Sequence, residues 1–391
     1  MTQPMHVLHA TSVWLPQTQT WIHAQLAELQ RLGVDAQVAF ERRENPEQFM
    51  VAGLHCLGSE HPLEYRWSKV LRRLGLRHYP DHLVRVGKAM HADILHSHFG
   101  HVGWANLGAA RRLGARHVVT FYGFDVNKLP QSAQWRRRYR RLFAEADLFL
   151  CEGSHMAACL VGLGCPSHKV KVQHLGVDVG AIDFRPRQWL PGEPLRVLVA
   201  ATFTEKKGIP YAIEALGRVA QDVPVELTLI GDAREDAATR NEKRRILDLL
   251  GSTGLQRHAR LLGFQPHEVM VREAYDHHLF LQPSVTAADG DTEGGAPVSI
   301  IEMLASGMPV IATRHCDIPE VMGEALEDML APERDVPALA ERIRTLLAEP
   351  GHWAQIARSG RDHVESQYDR QVQGERLRAQ YETLLQGGEK R

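Results

Sequence analysis

Short apolar runs alternate along the chain with stretches whose apolar residues recur three and four positions apart. The first pattern suits strands buried on both faces, the second suits helices packed on a sheet. Val7 and Leu8 open the series as a strand, and a loop from Ser12 with an amphipathic helix ending at Gly33 completes a βα unit. Asp93–Leu95 ends a further strand, Val118 begins one that runs into a loop by Val126, and Leu148–Cys151 leads through a turn into a helix reaching Gly164. From Phe184 to Pro194 proline and glycine accumulate and periodicity stops, which predicts a domain boundary near residue 185. The pattern resumes with Val197–Ala201, a polar turn at Lys206 and Lys207, and a helix from Ile209 or Pro210. Strands follow at Leu227–Ile230, Ala259–Phe264, Leu279–Leu281 and Val310–Thr313, then helices, the last spanning roughly Gln371 to Leu385. Such alternation predicts an α/β protein with parallel sheets.

Composition adds limits. The 391 residues are enough for two domains of ordinary size. No run of about 18 apolar residues exists to span a bilayer, and Met1–Ser12 lacks the charged start and apolar core of a signal peptide, so the expected location is the cytoplasm. Five cysteines without paired spacing predict neither a disulfide framework nor a zinc site. The net charge of −1 conceals an asymmetry: Met1–Arg185 has 22 Lys+Arg against 15 Asp+Glu, or +7. The remainder of the 46 and 47 is 24 against 32, or −8. Two clusters carry much of the excess. Arg66, Lys69, Arg72, Arg73, Arg77, Arg85 and Lys88 lie among Trp67, Val70, Leu71, Leu74 and Leu76, and QWRRRYRRLF spans Gln134–Phe143. Two readings stay open, solvated helical faces or a basic aromatic surface on anionic lipid at the inner face of the plasma membrane. Nucleic acid is not an expected partner, because no binding module accompanies the charge.

The chemistry concentrates between Leu281 and Val310. A polar loop rich in Asp and Gly ends at Gly294 and Gly295, Pro297 suits the first position of a helix, and Gly307 suits its exit. Bare backbone before a helix amino terminus favours an anion, with phosphate the natural guest. Glu302 lies on a helix whose Val298, Ile300, Ile301, Met303, Leu304 and Ala305 surround nearly the whole circumference, so its carboxylate is predicted to be buried and to need partners such as a ribose diol. In the first half, strand alternation places His96 and His98 on one side at a carboxyl end, where open α/β sheets hold ligands. Asp289, Asp291 and Glu293 imitate the start of a calcium loop, but Ile300 stands where its bidentate Glu is required. No metal and no separate cofactor are expected.

The stretch Gln282–Val321 resembles the donor-binding signature of the family-four retaining glycosyltransferases of the GT-B fold: Glu, seven residues, Glu, a small-residue helix and a Gly-x-Pro-Val-Ile strand. This resemblance implies two Rossmann-like domains facing a central cleft, at 1–185 and 186–367, with a helix at about 368–391 returning to the first. It implies that Glu302 holds the ribose, that Gly294, Gly295, Ala296 and Pro297 hold the diphosphate with Val298 also on the donor side, and that Glu293 meets the donor sugar. Eight residues rather than seven separate Glu293 from Glu302. In the family's Gly-Arg-x-x-x-x-Lys-Gly phrase, Lys207-Gly208 is retained, Thr202 takes the place of Arg, and Lys206 is a candidate substitute for the lost charge. Gly263 and Phe264 are placed against the base.

In the first half the resemblance puts His98 beside the diphosphate and reacting sugar. Relatives read Thr-x-His-Gly-x-Asp where this chain has Tyr122 in place of His and keeps Asp125, which either orients an acceptor hydroxyl or closes an Asx turn. PQTQTWI resembles a Pro-x-x-Ser-Glu-Thr-Phe-Ile loop, so Thr18 and Thr20 either face the cleft or cap the next helix. The implied activity is transfer of a sugar, with retention, from a nucleotide-diphosphate sugar to a saccharide or polyprenyl-linked acceptor in cell-surface polysaccharide synthesis. His98, Lys207 and Glu293 are its catalytic candidates. The departures leave a second reading, a non-catalytic nucleotide-binding partner of another transferase. No Gly-x-Gly-x-x-Gly follows a strand, which disfavours a dehydrogenase.

Overall fold

The apolar runs of the first half form four strands of one parallel sheet, joined by three that the sequence pattern does not show: β1 (His6–Trp14), β2 (Asp35–Arg43), β3 (Leu54–Cys56), β4 (Ile94–His98), β5 (Arg116–Thr120), β6 (Leu148–Cys151) and β7 (Val170–Val172), of which β2, β3 and β7 are the additions. Their order is β3-β2-β1-β4-β5-β6-β7, so the winding direction reverses between β1 and β4. The computed structural model describes residues 4–15, 20–44, 49–74 and 81–387. Alternation within β1 sends Leu8 and Ala10 to one face, with Val84 and Leu95, and Val7 to the other, with Ile94, Val118 and Leu150. Helices cover both faces, which is why the central strands are buried almost throughout.

β1 is longer than its apolar pair suggested. Ser12–Trp14, expected as loop, pair with β2 as far as Arg43. Trp14 is fully buried, and its indole N–H donates to the Phe49 carbonyl at 2.9 Å. Burial of so large a side chain with its polar atom satisfied holds the strand together to its end.

The second sheet contains β8 (Leu195–Ala200), β9 (Val225–Ile230), β10 (Ala259–Gly263), β11 (Leu279–Gln282), β12 (Val310–Thr313) and β13 (Leu330–Ala331), in the order β10-β9-β8-β11-β12-β13. All pairings are parallel. The reversal here lies between β8 and β11. Val197, Leu198 and Val199 are at most 2% exposed, as a central strand requires. The two-residue β13 interrupts what the sequence suggested to be helices only.

The chain divides into Met1–Val177 with Arg370–Arg391, and Asp178–Asp369. The Pro/Gly-rich Phe184–Pro194 stretch belongs to the second unit because buried Arg187 donates to the carbonyls of Ala274 and Ser306 at 2.9 and 2.8 Å. The last helix, Arg370–Gln386, belongs to the first unit, where Leu377 and Tyr381 are fully buried beside Val7 and Ile94. No helix among the described residues is long and apolar enough to cross a membrane.

Candidate active site

In the second unit, the loops after β8 and β11 meet at the point where the strand order reverses, the usual ligand position in doubly wound sheets. Gly208 makes this meeting close. It has φ +63°, and a Cβ added there would lie 1.8 Å from the Pro283 carbonyl oxygen, so only glycine lets the lysine turn approach the loop leaving β11. The short 3-10 turn Glu205–Lys207 thereby aims both lysines at that loop. Lys207 Nζ is 2.7 Å from Glu293 Oε2, and Lys206 Nζ donates to the Thr292 carbonyl at 2.8 Å and lies 3.3 Å from Asp291. The other Glu293 oxygen accepts from Ser284 at 2.6 Å and Gln282 at 3.2 Å. Burial pushes the Glu293 carboxyl up, but Lys207 and Lys206 outweigh it and hold the group below the usual carboxylate range.

Side chains absent from the sequence argument fix the same loop. His315, 1% exposed, accepts from the Glu293 amide through Nε2 at 3.1 Å and bonds Glu333 through Nδ1 at 2.6 Å. An acceptor at Nε2 requires the proton on Nδ1, so Glu333 sets the tautomer. Glu333 also accepts from the Thr286 amide at 2.8 Å. Gly294 has φ +83°, and Pro297 is the N-cap of the helix Val298–Ala305 rather than its first residue, with ψ near 127°. The chain is still extended at Pro297, so Val298 begins the helix; the Ile300 amide donates to the Pro297 carbonyl at 3.0 Å, and the amides of Val298 and Ser299 have no acceptor within the helix. Gly307, φ +81°, ends it as anticipated.

Glu302 is 13% exposed and bonds His267 Nε2 at 2.8 Å. Five of the eight helix residues around it are buried, so the carboxylate emerges through one narrow sector. Thr202 is partly buried after β8, and Gly231 packs a would-be Cβ 2.0 Å from the Ala201 carbonyl beside it. Gly263, φ +68°, ends the edge strand β10, and Phe264 is 58% exposed.

In the first unit the reversal point holds three fully buried imidazoles. Register pairs His9 of β1 with His96 of β4, and the His96 and His98 rings stack at 4.6 Å. His98 uses both nitrogens: Nε2 meets His9 Nδ1 at 3.0 Å and Nδ1 meets the Tyr122 hydroxyl at 2.5 Å. His96 joins Tyr381 at 2.5 Å and Thr120 at 2.6 Å. Burial drives all three rings toward the neutral form, His98 down to about 3. Of the chain Tyr122–His98–His9, only Tyr122 is partly exposed, and it lines a cavity of about 30 Å³ with Trp21, Gln25 and His174. Asp125 is fully buried. It accepts from the amides of Gly100 at 2.7 Å and Tyr122 at 3.0 Å, so it shapes the turn that presents Tyr122. Burial raises its carboxyl to about 6 against these donors. Thr18 lies outside the described residues. Thr20 opens the helix Thr20–Arg31, and its side chain is likewise outside them.

Two family models match the chain, one described as Glycosyltransferase Family 4 over residues 18–180 and one described as Glycosyl transferases group 1 over residues 194–349. The chain is 33% identical over 288 residues to the amylovoran biosynthesis glycosyltransferase AmsK of Erwinia amylovora, an alignment covering 73% of this chain and 69% of that one. It is 32% identical over 293 residues to the putative colanic acid biosynthesis glycosyltransferase WcaL of Escherichia coli K12, covering 74% and 70%. Among solved structures it resembles sucrose-phosphate synthase from Thermosynechococcus elongatus, with a TM-score of 0.77 over 98% of this chain and 100% of that one. Anabaena HepE in complex with UDP gives 0.74 over 97% and 100%. At 16% identity each, these two likenesses establish the fold alone.

Proposed function

The chain belongs to the family 4 glycosyltransferases, and from that premise we propose that it moves a sugar from a nucleotide-diphosphate donor to a saccharide or polyprenyl-linked acceptor, with retention of configuration, in cell-surface polysaccharide assembly. The names of AmsK and WcaL, which refer to amylovoran and colanic acid biosynthesis, support the setting, and the UDP complex of HepE supports the donor class. The observation that carries the proposal is the convergence of Lys206, Lys207, Glu293 and the amino end of the Val298 helix at the carboxyl ends of β8 and β11. Two ammonium groups and a helix dipole there suit a departing diphosphate, and such preorganised charge is the largest single contribution a site of this kind can make.

In this reading the ribose replaces His267 as the partner of Glu302, and the diphosphate takes Lys207 from Glu293. Glu293 is then free to accept from a sugar hydroxyl. Asp125 holds Tyr122, and the Tyr122–His98 pair attends the reacting sugar and acceptor. The leaving phosphate takes the acceptor proton as attack proceeds on the same face. The donor is a co-substrate, and no separate cofactor or metal forms part of the scheme.

The proposal also seats the enzyme on the anionic inner face of the plasma membrane. Leu63, Trp67, Val70 and Leu74, spaced four, three and four apart along the helix Pro62–Arg73 and its end, are all exposed, with Arg66, Lys69 and Arg73 beside them. The other basic cluster differs, since Tyr139, Leu142 and Phe143 turn inward and its arginines cover a packed helix.

The test is turnover of UDP-, GDP- and ADP-sugars, with the anomeric configuration of the product read by proton NMR. Slow hydrolysis of one donor and an α-linked product from an α-linked donor support the proposal. Absence of donor turnover across the panel, with nucleotide binding intact, would favour a binding partner instead.

A further inference from the structure

In the first unit a cavity of about 590 Å³ is lined by His6, His55, Glu60, His61, His82 and Asp35, among others. Within it the ligand atoms of Glu60, His61 and His82 all lie within 4.8 Å of one another. His82 is the informative member. Its side chain is 4% exposed, and its Nε2 has no hydrogen-bond partner. That nitrogen faces Glu60 Oε2 at 3.9 Å. A buried imidazole nitrogen without a partner, facing a carboxylate, is a ready ligand for a metal ion.

Glu60 Oε1 accepts the Cys56 amide at 2.7 Å, so Oε2 is the oxygen turned toward His82. The His61 ring stands edge-on to His82 with centroids 5.3 Å apart. Bonds of about 2.0–2.2 Å to a tetrahedral ion need donor atoms roughly 3.3 Å apart. Rotation of the exposed His61 and Glu60 side chains closes the remaining gap. The other buried trio, His9, His96 and His98, does not qualify. Five of its six ring nitrogens already have partners, and an ion would break those bonds.

We propose that Glu60, His61 and His82 form a structural site for a divalent transition ion of the zinc type. Two imidazoles and one carboxylate suit zinc, nickel or copper and not magnesium or calcium, which take oxygen ligands. The ion ties the helix Asp81–Ala89 to the turn between Leu57–Glu60 and Pro62–Arg73. The Glu64 bonds to the His82 amide, at 3.0 Å, and to Arg85, at 2.6 Å, already hold these elements together. The test reads zinc binding and so does not depend on transferase activity.

The full chain, stripped with a chelator, is titrated with zinc chloride against a chromophoric competitor, and its melting is followed with and without the ion. One equivalent of zinc binds and raises the melting midpoint; His61→Ala and His82→Ala each weaken binding about 100-fold. Glu60→Gln alters a partly exposed side chain and keeps the wild-type circular dichroism while losing affinity, which separates ligation from folding. His9→Gln binds zinc as the wild type does. Binding weaker than millimolar, or binding that survives the His61 and His82 changes, overturns the proposal.

Discussion

Lys207 and Glu293, 86 residues apart in sequence, form an ion pair at 2.7 Å in which the carboxylate is 6% exposed and the ammonium 21%. The pair occupies the place where the proposed donor puts its diphosphate. Binding must therefore exchange one anionic partner of Lys207 for another.

Glu293→Gln separates the two roles of that carboxylate. Without a competing anion beside Lys207, nucleoside diphosphate affinity rises by up to about tenfold, or about 1.4 kcal/mol. Turnover of the complete donor falls, because a sugar contact is lost. Calorimetry with the diphosphate and initial rates with the sugar nucleotide check both directions. Lys207→Ala moves both downward, with kcat falling about 10²- to 10³-fold.

Tyr122 and His98 act as one unit if the hydrogen bond between them matters. Tyr122→Phe keeps the ring and removes the hydroxyl, while His98→Ala removes the group behind it. Each lowers kcat, His98→Ala by about 100-fold, with donor affinity nearly intact, and the double variant is little worse than the more damaging single one. Losses that multiply would show that the two side chains act separately.

The His267–Glu302 bond gives a pH signature. The bond to Glu302 raises the His267 pKa above its ordinary value despite partial burial. A raised folded pKa stabilises fully below the unfolded value of about 6.5 and fades as pH climbs through the folded one. The melting difference between wild type and His267→Ala is thus largest near pH 6 and shrinks toward pH 9. It stays small throughout, because the imidazole is 61% exposed. A difference that grows with pH contradicts the pairing.

Membrane seating is separable by helix. Leu63→Glu with Trp67→Glu abolishes flotation on anionic vesicles, whereas Arg137→Gln with Arg140→Gln only weakens it. Neutral vesicles capture neither the wild type nor either variant.

The central strands and the helix carrying Glu302 are legible in the sequence because strands buried on both faces read as unbroken apolar runs. β2, with polar residues such as Asp35, Gln37 and Glu41 among its apolar ones, and the two- or three-residue β3, β7 and β13 give no such run. The stacking of His96 and His98 follows from alternation along one strand. What the sequence hides is adjacency between segments. His9 reaches His98 because β1 and β4 are neighbours at the reversal point, and Tyr381 reaches His96 across 285 residues. His315 and Glu333 likewise become functional only when β12 and β13 lie side by side. The two basic aromatic clusters look alike as text. Packing distinguishes them, exposing Trp67 and burying Tyr139.

The central claim is that Glu302, set among the buried apolar residues of its helix, holds the nucleotide ribose. Titration calorimetry of UDP and GDP against wild type and Glu302→Ala tests it most directly. The account predicts that the nucleotide bound by the wild type loses at least about tenfold in affinity, the worth of a charge-assisted hydrogen bond, while the variant stays folded. Unchanged affinity in a folded Glu302→Ala variant would contradict it.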